Sequence, residues 1–255
     1  MIKVLRTVED CKTWRAAQNG SVGFVPTMGA LHAGHRSLLE TSVRENDRTI
    51  LSIFVNPTQF NDPKDFEKYP ITWDEDLALA EQAGVDAVFA PTRDLLYPDD
   101  YTYRLSETEF SGTLCGAHRP GHFDGVLTVV MKLFQIVQPT KAYFGEKDGQ
   151  QLQLIQGMVK AFFLNLTIVP VPTVRDADGL AMSSRNRRLS PAERLLAPEI
   201  YRALNESESA EAAAHRLQEK GFRVDYVEDR KGRRYAAAFL GETQLIDNVE
   251  LPHGR

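Results

Sequence analysis

Two histidines, a lysine, an arginine beside paired serines, and two glutamines are the side chains of this 255-residue chain whose types and settings suit chemistry. The histidines stand closest together, in His32-Ala33-Gly34-His35. Gly23-Phe24-Val25 before them reads as the end of a buried strand, and Pro26 and Gly29 break the ladder. From about His35 the apolar residues Leu38, Leu39 and Val43 recur at helical spacing. A strand-to-helix turn leaves backbone N–H groups unpaired at the positive end of the helix dipole, where anions are favoured. A neutral imidazole donates a hydrogen bond to a phosphate oxygen without the solvation cost of a fixed charge. Gly34, which has no Cβ, lets a flat ring lie close to the backbone. One such histidine alone reads as a capping or surface residue. The pair in this frame, directly behind a strand, points to phosphate handling.

The elements that must position this turn follow in order. Thr7 and Asp10 form a variant capping box for a helix that reaches about Ala17 and stops at Asn19-Gly20. The histidine helix ends near Asn46-Asp47, and residues 49–55 form an apolar, β-rich run, as in a strand buried on both faces. Residues 73–83 read as a helix with Gly84 as its cap, and 87–90 as a strand. The segment 91–124 is long and irregular, of the kind that is usually functional. Residues 125–137 form an apolar helix, 141–144 a strand, 145–148 a second strand-to-helix turn, 150–163 a helix and 167–171 a strand. This alternation predicts an α/β fold with a doubly wound parallel sheet, Rossmann-like, whose ligands lie at the C-terminal ends of strands. The histidine turn, 56–59 and 145–148 all fall at such ends.

After Val174 the character changes. Asp176-Ala177-Asp178-Gly179 is a turn and 183–188 is polar and basic. Ser190-Pro191-Ala192-Glu193 is a strong helix start, leading to two helices broken at 205–207 and to short strands up to Val249. The expected organisation is a large domain over 1–174 and a smaller C-terminal α+β domain over 175–255.

Composition excludes several classes. The net charge is −5, with 42% hydrophobic and 25% charged residues, so no global basic surface calls for nucleic acid or an anionic membrane. Cys11 and Cys115 lie far apart without metal-ligand spacing, which predicts a reduced, intracellular chain without zinc. The first residues soon turn polar, unlike a signal peptide, and no apolar run approaches the roughly 20 residues that span a bilayer.

The frame His32-Ala33-Gly34-His35 resembles the HxGH signature of the nucleotidyltransferase superfamily of α/β folds, and further motifs narrow that superfamily. Phe54-Val55-Asn56-Pro57-Thr58-Gln59-Phe60, Arg119-Pro120-Gly121-His122-Phe123, Phe144-Gly145-Glu146-Lys147-Asp148, Gln150-Gln151-Leu152, Asp178-Gly179-Leu180-Ala181-Met182-Ser183-Ser184-Arg185-Asn186 and Leu245-Ile246-Asp247-Asn248 come in this order. Together they resemble the pantothenate synthetase (pantoate–β-alanine ligase) family over nearly the whole chain, most densely from residue 24 to 190. The resemblance implies that ATP and pantoate give pantoyl adenylate and pyrophosphate. β-Alanine then attacks the acyl carbonyl, giving pantothenate and AMP. It further implies Mg2+ with the ATP, a cytoplasmic homodimer, an ATP- and pantoate-binding large domain, a C-terminal lid, and small-molecule partners only.

Residue roles carry over on the same motifs. His32 and His35 donate to phosphate oxygens, His35 towards the leaving pyrophosphate, and the backbone of Met28, Gly29, Ala30, Leu31, Ala33 and Gly34 cradles the nucleotide. Lys147 supplies a point charge for phosphate. Gly145, Glu146 and Asp148 belong to the nucleotide site, with Gly145 and Asp148 at the ribose hydroxyls. Ser183, Ser184 and Arg185 resemble the mobile phosphate-binding loop of related synthetases, where Arg185 grips with two donors. Val174 and Met182 line adenine or pack as core. Gln59 and Gln151 are the pantoate residues, since a neutral amide both donates and accepts. Gln151, one turn beyond Lys147, is expected on the same helix face. Phe54 and Phe60 wall the gem-dimethyl group or pack as core. Arg119 and His122 sit at the lip, and Pro120-Gly121 argues against one helix carrying both His118 and His122. Glu75 and Asp76 read as first-turn helix carboxylates or as contacts for Mg2+, with Asp76 the candidate of the two.

Three departures stand out. Gly149 replaces an expected aromatic residue, Ile71 an expected arginine, and the C-terminal part is some twenty residues shorter than the resemblance leads one to expect. Two other readings keep the histidine turn: a nucleotidyl transferase acting on a phosphate ester, and a non-catalytic nucleotide-binding regulator.

Overall fold

The structure is a computed structural model that describes residues 2–251. It divides into two compact units, Met1–Gly145 with Gln150–Val171, and Glu146–Gly149 with Pro172–Arg255. The sequence places the boundary after Val174. The structure adds that a four-residue stretch, 146–149, goes with the C-terminal unit although the strand before it and the helix after it belong to the first.

The first unit carries strands β1 (Lys3–Leu5), β2 (Val22–Thr27), β3 (Arg48–Ile53), β4 (Ala87–Phe89), β5 (Lys141–Gly145) and β6 (Thr167–Val171). Its helices are α1 (Val8–Ala16), α2 (Ala33–Glu45), α3 (Pro63–Glu67), α4 (Trp73–Gln82), α5 (Arg93–Leu96), α6 (Cys115–His118), α7 (His122–Val137) and α8 (Gly149–Ala161). The six strands form one parallel sheet in the order β1-β4-β3-β2-β5-β6. From β2 the chain winds outward through β3 and β4, then returns to the other side of β2 for β5 and β6. The strand order therefore reverses between β2 and β5, the position where open α/β sheets bind ligands.

The sequence rules that build these elements are local. Thr7 and Asp10 close the expected capping box on α1. α7 is apolar because it is buried along nearly its whole length, with Phe134 edge-on to both Phe24 and Phe144. A second apolar cluster joins Val25, Leu51, Val88 and Tyr143 of the sheet to Leu38 and Leu39 of α2 and Ala80 of α4. α7 starts three residues earlier than expected, because Gly121 at φ +77 turns the chain directly into it. The same glycine separates α6 from α7, so His118 and His122 lie on different helices.

Among its described residues the second unit has three helices, not two: α9 (Pro191–Leu196), α10 (Glu199–Glu206) and α11 (Ala210–Glu219). Ser190 and Glu193 form the predicted capping box of α9. The unexpected break falls at Ala197-Pro198, where proline lacks the N–H that would continue the helix. Strands β7 (Arg223–Arg230), β8 (Arg233–Leu240) and β9 (Thr243–Glu250) form an antiparallel sheet in that order. Leu180, Ile200, Leu204, Leu217, Phe222 and Leu245 fill the core beneath it.

Candidate active site

The histidine turn is built from its own backbone. After β2, Gly29 (φ +80) and Ala30 (φ +52) both take the left-handed conformation, which folds the chain back towards α2. His32 is the N-cap of α2, and its Nδ1 accepts a hydrogen bond from the Gly34 N–H at 3.1 Å. The His32 N–H in turn donates to Nδ1 of His35 at 3.3 Å, closing a capping box made of two imidazoles. A ring nitrogen that accepts from an N–H carries no proton. Each neutral ring therefore holds its proton on Nε2, an assignment that follows from these two hydrogen bonds. The rings lie 4.1 Å apart between centroids. A Cβ at Gly34 would stand 2.9 Å from Cε1 and 3.0 Å from Nδ1 of His32, so the glycine is what lets the ring lie on the backbone.

Asp76, the expected Mg2+ contact, does something else. It is 2% exposed, and its oxygens accept from the Ala30 N–H (2.9 Å), the Leu31 N–H (2.7 Å) and the Thr72 hydroxyl (3.1 Å). Both oxygens are thus engaged by hydrogen bonds, and Asp76, expected as a metal contact, braces the histidine turn. Among the described residues no three histidine, cysteine or acidic side chains gather as a metal cage.

The pantoate candidates also fall in ordered surroundings. Gln59 ends a short 3-10 turn, Pro57–Gln59, behind β3. Its Oε1 accepts from Asn56 Nδ2 at 2.9 Å, and its Nε2 lies 3.3 Å from the Met28 sulfur beside the histidine turn. Its backbone carbonyl accepts from Arg119 (3.2 Å) and from Nδ1 of His122 (2.7 Å), which brings both expected lip residues to Gln59. Gly125 of α7 lets this happen, because a Cβ there would meet the Thr58 carbonyl oxygen at 2.4 Å. Phe54 is buried, with Tyr97 as its ring neighbour, and Phe60 packs edge-on to Phe66 and Tyr69. Burial of its phenol pushes Tyr97 up to about 12, so it stays a neutral donor to Asn56 Oδ1.

Gln151 sits half-buried in the first turn of α8. Lys147 lies in the 3-10 turn Glu146–Asp148, which leads directly into that helix. The residue that sequence reasoning missed is Gln150. It is buried, and its amide bonds the Cys115 N–H and the Phe110 and Thr113 carbonyls, pinning the irregular segment that leads to Arg119. Its place in the Gln150-Gln151 pair is the only sequence signal it gave.

The second unit holds the cationic candidates. Lys147 Nζ lies 3.7 Å from Asp148 Oδ1, and the lysine side chain is 19% exposed. At Gly145, the last residue of β5, nothing lies within 4 Å of where a Cβ would be. Val174 and Met182 are joined across a hairpin by the Met182 N–H to the Val174 carbonyl (2.9 Å). Both are half-buried and neither belongs to the unit's core cluster. Ser183 caps the 3-10 turn Ser184–Arg188, which carries Arg185. The base of that hairpin is braced by Arg175, bidentate on the buried Asp247 at 2.6 and 2.9 Å. Arg194 bridges Asp176 and Asp178 and holds the Asp178 carboxyl below the usual carboxylate range. Ile71 is 84% exposed.

Comparison with known proteins decides the family. The model of the pantoate–β-alanine ligase family matches residues 3–250. The chain belongs to the pantoate–β-alanine ligase family. It is an ATP-dependent ligase of pantothenate biosynthesis, and membership carries the condensation of pantoate with β-alanine. A pantothenate synthetase of Bdellovibrio bacteriovorus is 62% identical over 251 residues, 98% of this chain and 100% of that protein. One from Coxiella burnetii is 50% identical over 98% of this chain and 97% of its own length. A crystal structure of pantoate–β-alanine ligase from Francisella tularensis, complexed with beta-gamma ATP and β-alanine, matches with a TM-score of 0.91 at 39% identity, over 98% of both chains. Ligases of this family thus occur with a C-terminal part as short as this one, so the shortness is no departure. No helix among the described residues is long and apolar enough to cross a membrane.

Proposed function

We propose that the chain makes pantothenate in two steps on one nucleotide, through pantoyl adenylate. In the first, a pantoate carboxylate oxygen attacks the α-phosphorus of ATP and pyrophosphate leaves. No protein nucleophile takes part, so the residues align the reactants and stabilise charge on phosphate oxygens. The Nε2–H groups of His32 and His35 donate to those oxygens, His35 to the departing pyrophosphate. Residues 28–35 cradle the phosphates with backbone N–H groups. Lys147 and Arg185 supply positive charge, with Ser183 and Ser184 as further donors. Gly145, Glu146 and Asp148 hold the ribose side, and Val174 and Met182 the adenine. Gln59 and Gln151 hold pantoate by its hydroxyls and carboxylate. In the second step the β-alanine amine attacks the acyl carbon, AMP leaves, and the amine's proton goes to solvent.

The observation that carries this reading is the double imidazole cap. Both Nδ1 atoms accept backbone N–H groups, which leaves each neutral ring with an Nε2–H donor and no need for a buried charge. Magnesium would enter on this reading with the triphosphate and would offset its negative charge. The same reading takes the second unit as a lid, the assembly as a homodimer and the compartment as the cytoplasm. The test is formation of AMP from ATP, which must require both pantoate and β-alanine, together with pyrophosphate exchange that requires pantoate alone. AMP formation independent of pantoate, or exchange without it, overturns the reading.

A further inference from the structure

Between β5 and α8 the chain makes one 3-10 turn, Glu146–Asp148, which packs with the second unit. Two consecutive carbonyls of that turn end on one side chain. Asn248 of β9 donates from Nδ2 to the Glu146 oxygen and to the Lys147 oxygen, each at 2.9 Å. Its Oδ1 accepts from Nε of Arg233 on the neighbouring strand β8 at 2.7 Å. These contacts fix the amide's orientation. A guanidinium only donates and carbonyls only accept, so turning the amide over would oppose like groups on both sides. Asn248 is 2% exposed, its N–H donates to Asp247 Oδ1 at 2.8 Å, and its register opposite Tyr235 holds its backbone. Arg233 also reaches the Glu146 carboxylate at 3.7 Å. Gly149 lets the amide come this close: a Cβ there would stand 2.9 Å from Oδ1 and 3.1 Å from Cγ and Nδ2.

We propose that Asn248 is a positioning residue for Lys147. Its amide fixes the two carbonyls on either side of the Lys147 Cα, and with them the direction in which the lysine side chain leaves the backbone. The chemistry asks for a carboxamide, because its NH2 group places two donors on one atom against two acceptors while its oxygen accepts from Arg233. A carboxylate of the same shape would set an oxygen against both carbonyls. The inference rests on the role given above to Lys147.

The test is pantoate-dependent pyrophosphate exchange in wild type, N248A, N248D and K147A, and in K147A carrying each Asn248 change. Misplacing a charged group by a fraction of an ångström to an ångström costs about tenfold or more in rate. N248A and N248D are therefore expected to lose about tenfold or more in turnover, with the KM for pantoate within about twofold and a thermal unfolding midpoint that is lowered but still well above the assay temperature. In the K147A background neither change should lower the rate further, because the group they aim is gone. A purely structural role would cost the same factor in both backgrounds, and that result overturns the proposal. So does wild-type exchange in N248D, or failure of both Asn248 variants to fold, which would assign the residue to the fold alone. Wild-type exchange in K147A would reject the lysine's own role and this inference with it. A slow K147A with full additivity would reject only the inference.

Discussion

Two strand-to-helix turns flank the point where the sheet order reverses, and they are held in opposite ways. The turn after β2 is braced by charge and by itself: a buried carboxylate takes two of its N–H groups, and its two imidazoles cap each other. The turn after β5 is braced by a neutral amide that takes two of its carbonyls. One presents N–H groups and needs an acceptor behind it. The other presents an ammonium and needs donors behind it. What supports each turn follows from which backbone groups its conformation leaves unpaired.

The largest expected effect comes from removing the groups the two turns present. His35→Ala and Lys147→Ala should each slow pantoate-dependent pyrophosphate exchange about a hundredfold or more, on the order of 3 kcal/mol for a preorganised donor. The two should differ in stability. His35→Ala also removes the acceptor of the His32 N–H, so its unfolding midpoint should drop, whereas that of Lys147→Ala should stay within a degree or two of wild type. Equal midpoints would erase the contrast drawn here.

Asp76→Ala comes next. It strands two buried N–H groups and should destabilise the chain by roughly 2–3 kcal/mol in denaturant titrations, with slower exchange. Gly34→Ala should keep the fold but push the His32 ring off the backbone, at a cost of about 1–2 kcal/mol and a several-fold loss of exchange. Unchanged exchange in Gly34→Ala would mean that the ring's close approach is not needed. Gln59→Ala lies outside both turns and serves as the control. The KM for pantoate should rise about tenfold for one lost polar contact, with the KM for ATP unmoved.

The smallest effect concerns acid. Asp178 titrates below its ordinary value of 3.8 because Arg194 bonds its charged form. Its share of stability is therefore full above that ordinary value and is lost as pH falls through the lowered one. Asp178→Asn should remove that part of the acid dependence in a pH series of thermal unfolding, and leave stability near neutrality slightly reduced.

How much of this was legible in the sequence depends on the distance over which each determinant acts. The imidazole frame, the role of Gly34, both capping boxes and the α/β alternation are set by residues within four positions of one another, and spacing conveys them. Asp76 gave a true signal, an acidic residue near a helix start, with the wrong meaning, because its partners Ala30 and Leu31 lie 46 and 45 residues away. Asn248 stands 101 residues from Lys147, and no periodicity reports that pairing. Lys147 and Gln151 are expected on one helix, and the local sequence does not announce that the first turn is wound as 3-10 before it continues as α8. A 3-10 turn winds more tightly than an α-helix, so the angular offset between them differs from the one four α-helical residues would give.

The detour of 146–149 into the second unit has an evolutionary corollary. A module joined at a single peptide bond can be exchanged between genes by one recombination event. Here the C-terminal portion also supports a four-residue stretch encoded far upstream, so a transplanted tail would arrive without the loop it matches. Swaps of this tail between homologues should succeed only when 146–149 travels with it, and the two stretches should accept changes as a set.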